Sequence, residues 1–101
     1  MTKQALINTV ILKTVEVFGE FDKVSRKQSH RETRQIIMYL LLNRFKLYRF
    51  TQSEVGEIFG FDPANARHAA RRIKDLITYD KMLNDNIKTI ETNIRDTIKL
   101  N

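Results

Sequence analysis

The chain is 101 residues long, 42% hydrophobic and 30% charged, which suits one domain with one modest core. It contains no cysteine, which excludes a disulfide framework and a thiolate metal site, and His30 and His68 are too few and too far apart to suggest zinc. The net charge of +6 is concentrated: residues 23–74 hold twelve basic residues against four acidic ones, while each flank is net −1. A block of this kind favours a polyanionic partner, DNA or RNA, over a merely solvated basic surface. No apolar run reaches the roughly 18 residues of a membrane span. The N-terminus shows no signal-peptide hydrophobic region. A soluble protein of the cytoplasm is expected.

All three glycines and the single proline lie between residues 19 and 63. Alternation of β-branched residues is weak, so residues 1–101 read as a single all-α domain, a bundle of five to six helices. The first helix runs from about residue 3 to 18, with Ile7, Ile11, Val15 and Phe18 as its inner stripe and Gly19 as its stop. Residues 21–27 make a short connection, with room for one helical turn after Asp22. Ser29-His30-Arg31-Glu32 reads as a capping box that opens a second helix, running to about Lys46. Its centre, IIMYLLL (36–42), is apolar nearly all round, the pattern of a central buried helix. Thr51-Gln52-Ser53-Glu54 is a second capping box, opening a short third helix with Val55, Ile58 and Phe59 facing in.

Phe59-Gly60-Phe61 closes that helix. Asp62 is placed to cap the next one, and Pro63 fits its first turn. Ala66, Ala69, Ala70, Ile73, Leu76 and Ile77 share one face, which leaves Asn65, Arg67, His68, Arg71 and Arg72 outside. A short helix, a tight turn and a second helix with Asn and Arg near its start is the layout of a helix-turn-helix DNA reader. A break is expected between Thr78 and Asn86, because Asn84-Asp85-Asn86 are weak helix formers. Beyond it, Leu83, Ile87, Ile90, Ile94 and Ile98 continue a stripe to the C-terminus. Packing against the first helix is the favoured role of that stripe, and contact with another protein the alternative.

No catalytic constellation stands out, so the chain does not read as an enzyme. Glu54 and Glu57 fit cap and surface roles, and Tyr39, Tyr48 and Tyr79 are isolated. No acidic cluster suggests a metal-dependent nuclease. No Walker-type loop exists to hold a nucleotide, and no cofactor is implied.

RQIIMYLL (34–41), EVGEIFG (54–60) and HAARRIKDL (68–76), taken in that order, resemble the C-terminal DNA-binding domain of the bacterial replication initiator DnaA. The resemblance covers roughly residues 8–95, and it implies a DnaA C-terminal-domain-like fold, also Trp-repressor-like, containing a helix-turn-helix. The family signature D-H-T-T-V-x-H-A is matched at Asp62 and His68. Pro63, Ala64 and Asn65 stand where the family has histidine and two threonines, and Arg67 replaces a residue that is usually apolar. The turn before Asp62 is one residue shorter than usual, and the link between the second and third helices about three longer. The initiator's ATPase domain has no counterpart in the chain.

Three groups of residues are expected to carry DNA binding. On the recognition helix, Asn65 can pair with adenine, Ala64 can meet a thymine methyl, and Arg67 and Arg71 can reach guanine or phosphate. His68 matches the family's histidine, with a packing or capping role as its alternative. Arg72 is a candidate phosphate contact. The second group is the basic connection: Lys23, Arg26, Lys27, Arg31 and Arg34. The resemblance implies that an arginine of this loop, here Arg26, enters the minor groove, and Arg34 matches the family's arginine before Gln35. In the third group, the backbone N–H groups of Gln52 and Ser53, behind the Thr51 cap, can receive a phosphate. Arg44, Lys46 and Arg49 either add phosphate contacts or solvate a loop. The expected function is sequence-preferring binding of double-stranded DNA, in replication or transcription control of a bacterium, plasmid or phage. The alternative is a protein-interaction module that kept the fold and lost base readout, acting with a protein partner or as a homodimer.

Overall fold

A computed structural model describes residues 1–22 and 25–100. Five α-helices follow one another: α1 (Lys3–Phe18), α2 (Gln28–Tyr39), α3 (Gln52–Ile58), α4 (Pro63–Tyr79) and α5 (Lys81–Leu100). No strand forms among the described residues, and no helix is long and apolar enough to cross a membrane. The helical turn expected after Asp22 falls partly on Lys23 and Val24, which lie outside the described residues.

The second half of the central helix is buried because the run from Ile36 onward has no polar face. Ile36, Ile37, Met38, Tyr39, Leu40 and Leu41 are all buried, and α2 packs on both α1 and α4. The apolar run stays helical to Arg44, but Leu40–Arg44 widens into a π turn, and a single 3-10 turn follows at Lys46–Tyr48. Arg49 ends that turn in the left-handed conformation, at φ 55°.

Two details of the expected helices need correction. The second helix does not open on a Ser29 capping box. It starts at Gln28, behind Lys27, with no side-chain cap, and the Ser29 carbonyl instead accepts from Thr33 Oγ1. In α1 the deepest residues are Leu6, Val10 and Thr14, one position ahead of the expected stripe, with Ile7, Ile11 and Phe18 packed beside them. A threonine is tolerated there because its hydroxyl donates to the Val10 carbonyl at 2.7 Å.

The break between the last two helices falls at Asp80, within the expected window, but its cause differs. Asp80 is extended, and its side chain caps α5 by accepting from Leu83 N–H at 3.0 Å. Asn84, Asp85 and Asn86 lie inside α5, held there by the packing of the stripe beside them. Ile87, Ile90 and Ile94 are fully buried where α5 packs on α1, so these three residues of the stripe serve the core.

The corner between α3 and α4 depends on Gly56. The Phe61 N–H donates to the Gly56 carbonyl at 2.8 Å, which folds the chain back across the helix. A Cβ at Gly56 would lie 2.6 Å from the Phe61 carbonyl oxygen and 3.0 Å from that of Asp62. Only glycine permits so close a backbone crossing.

Candidate nucleic-acid interface

Local chemistry starts α4 where the sequence indicates. The Asp62 carboxylate accepts from Asn65 N–H at 2.8 Å, and Pro63 occupies the first turn. Ala66, Ala69, Ala70 and Ile73 then turn into the core. Their small side chains let α4 lie close to α2 and α3, and the same phase leaves Asn65, Arg67, His68 and Arg71 exposed. Ala64 is half-buried.

A cleft flanks α4 on each side. The first, about 620 Å³, lies between α4, α2 and the residues before α2. Arg26, Arg31 and Arg34 line one wall, and Asn65, His68 and Arg72 the other. Two of these cations are committed to the fold. Arg34 is almost fully buried, donates to the Asp22 carbonyl at 2.7 Å and lies 5.8 Å from the Phe61 ring centre. Burial lowers its pKa, as does the neighbouring Arg31, while Asp22 opposes the shift. A guanidinium keeps its proton under such conditions. Arg72 donates to Gln35 Oε1 at 2.6 Å and lies 3.7 Å from Glu32. Lys27 is exposed at the start of α2 and does not line this cleft, and Lys23 lies outside the described residues.

The second cleft, about 440 Å³, lies between α4 and the start of α3. Thr51 and Gln52 stand on one side, with Arg67, Arg71 and Lys74 on the other. Ser53 is exposed nearby but outside the cleft. The capping box here forms in full: Thr51 Oγ1 accepts from Glu54 N–H at 3.0 Å, and Thr51 N–H donates to the Glu54 carboxylate at 2.9 Å. Among the described residues, the side chains of Arg67, Arg71 and Lys74 make no ion pair or hydrogen bond. Lys74 joins Arg67 and Arg71 here although it is not among the residues expected to carry DNA binding. Its spacing of three from Arg71 and seven from Arg67 places all three on one stripe of α4, a signal that was there to be read.

Neither the family models nor the curated proteins contain a match to this chain.

The cations before α3 divide in the same way. Arg44 donates to Tyr39 Oη at 2.8 Å and to Glu91 at 2.9 Å, and Glu91 also holds Arg95. Arg44 is thus a brace between the π turn and α5. Lys46 and Arg49 remain exposed. Acidic groups are sparse around the clefts: Glu32 is occupied by Arg72, and Asp75 lies farther along α4, beside His68 and Arg71. No group of acidic, His or Cys residues able to hold a metal occurs among the described residues. The exposed face of α4 therefore offers hydrogen-bonding side chains along its middle and unpaired positive charge along one edge. That arrangement suits an extended polyanion better than a compact ligand.

Proposed function

We propose that this chain binds double-stranded DNA, with α3 and α4 acting as a helix-turn-helix of the DnaA C-terminal type. The observation that carries the reading is the stripe of unpaired Arg67, Arg71 and Lys74 facing the start of α3, with Asn65 and His68 beside it on the outer face of α4. Free guanidinium groups on one edge of an exposed helix give a phosphate backbone its counter-charge without first breaking an internal ion pair. Asn65, one turn inside the helix start, carries the amide that suits adenine, and Ala64 beside it suits a thymine methyl. Gln52, at the second cleft, and Ser53 beside it offer the first N–H groups of α3 to a phosphate. Arg26 and Arg31 supply charge at the opposite flank, where the duplex backbone would pass next. The biological setting that fits is replication or transcription control in a bacterium, plasmid or phage.

A fluorescence-anisotropy titration tests this with a DnaA-box duplex and a scrambled duplex at two salt concentrations. Salt-sensitive binding is expected. The Arg67→Ala/Arg71→Ala variant should weaken it and lower the slope of log K against log salt by about 2. No binding at low salt, or binding unchanged in the variant, would reject the proposal. The ratio between the two duplexes reports how much base reading the Asn65 and Ala64 positions retain.

A further inference from the structure

A second surface, unused by DNA binding, surrounds the turn at Lys46–Tyr48. Leu47 is 95% exposed, more than any other large apolar residue described. Single exposed leucines are ordinary, but this one stands at the edge of a cleft of about 420 Å³ between the turn and the last turns of α5. Phe45, Tyr48 and Ile98 give that cleft an apolar floor. Lys46, Arg95 and Lys99 form its rim, and no acidic residue is among the described residues that line it.

The turn is held from both sides, so Leu47 is displayed on a fixed mount. Ahead of it, Arg95 donates to the Arg44 carbonyl at 3.0 Å and lies over the Phe45 ring, 5.1 Å from its centre. Behind it, Lys3 donates to the Arg49 carbonyl at 3.3 Å and pairs with Glu54 at 3.0 Å. Arg49 itself sits in the left-handed conformation, which costs a non-glycine residue free energy and persists only where the surroundings enforce it. With the backbone of the turn held in this way, covering Leu47 costs only the freedom of its own side chain.

We propose that this cleft docks a segment of another protein carrying an apolar side chain between carboxylates. The apolar floor beside Leu47 gives nothing to a phosphate, and the all-cationic rim selects acidic flanks over basic ones. Arg95 is half-neutralised by Glu91, which leaves Lys46 and Lys99 as the cations with most to gain. The proposal does not depend on the DNA reading: its residues lie outside the α4 stripe.

The test is an amide ¹H–¹⁵N titration of the whole chain with a synthetic amphipathic peptide of Glu and Leu at helical spacing. The same peptide with each Leu replaced by Ser, and a duplex DNA, are run beside it. Saturable shifts of residues 45–48 and 98–99 are expected with the Leu peptide, and about tenfold weaker binding with the Ser peptide. Leu47→Asp and Lys46→Glu/Lys99→Glu change only exposed side chains, so the fold should persist, and each should weaken the Leu peptide about tenfold. The proposal fails if the two peptides bind equally, if shifts fall only along Arg67 and Arg71, or if nothing saturates. Duplex DNA shifting the 45–48 turn would assign the cleft to nucleic acid and also overturn it.

Discussion

The two clefts beside α4 are lined by the same residue type and use it in opposite ways. Toward α2, Arg34 is buried under the residues before the helix and Arg72 is bonded to Gln35 and paired with Glu32. Toward α3, Arg67 and Arg71 reach no acceptor among the described residues. The difference lies in the neighbour each flank faces. The connection before α2 presents a carbonyl oxygen, and the side of α2 that meets α4 presents amide and carboxylate oxygens; these absorb guanidinium donors. The side of α3 that meets α4 presents a helix start, whose N–H groups are donors themselves and repel cations. The charge of Arg67 and Arg71 is left without a partner among the described residues beside this helix start.

The largest expected effect comes from breaking the corner that holds the open flank. Gly56→Ala forces a methyl against two backbone carbonyl oxygens, neither of which can swing away as a side chain would. A loss of about 3 kcal/mol is expected, read as a lowered midpoint in urea with the slope unchanged. A wild-type midpoint would show that α3 and α4 meet less tightly than the carbonyl contacts imply.

Next comes the closed flank. Arg34→Met keeps the apolar stem but removes the bond to the Asp22 carbonyl, and should cost about 2 kcal/mol. Arg34→Lys should recover little, because an ammonium lacks the planar fork that reaches the carbonyl while lying over the Phe61 ring. A smaller effect separates the flanks directly. Arg72→Ala removes a partly exposed pair and should change stability by less than about 1 kcal/mol. Its effect on the salt slope of the proposed DNA binding should fall below that of Arg71→Ala, since Arg72 must leave Gln35 and Glu32 before it can serve a phosphate. Equal slopes for the two variants would remove the distinction drawn between the flanks.

Much of this organisation was legible in the sequence, and the exceptions share a cause. The two S/T-x-x-E patterns make the case. At Thr51 the reciprocal bonds close within four residues, with no help from elsewhere. At Ser29 the same pattern forms no cap, because Glu32 is drawn toward Gln28 on its own helix and Arg72 on another. The inward phase of α4 could be read because alanines and isoleucine alternate cleanly with arginines. The phase of α1 was displaced by one residue because Thr14 is buried as if it were apolar, its hydroxyl satisfied within the helix. Which arginines stay free depends on acceptors 12 to 47 positions away in sequence, as with Arg34, Arg72 and Arg44, so residue type and local spacing do not reveal it.

The smallest effect concerns the acid that anchors the open flank. Glu54 accepts from the Thr51 N–H, and Lys3 donates to both of its oxygens, at 3.0 and 3.1 Å. The Thr51 bond first, and then Lys3, hold its carboxyl below its ordinary value near 4.5. A carboxylate with a depressed pKa stabilises the fold at every pH above the unfolded value, and its contribution fades as pH falls through the folded one. Glu54→Gln should therefore melt below the parent near neutral pH. The gap should narrow once pH drops under about 4.5 and close at more acid pH, where the parent's carboxyl is protonated as well. The side chain is solvent-facing, so the gap should also shrink in high salt. A gap that persisted unchanged into acid would mean that Glu54 holds the start of α3 by shape alone. The charge link from α1 through Glu54 to the Thr51 cap would then play no part in setting the edge that Arg67, Arg71 and Lys74 face.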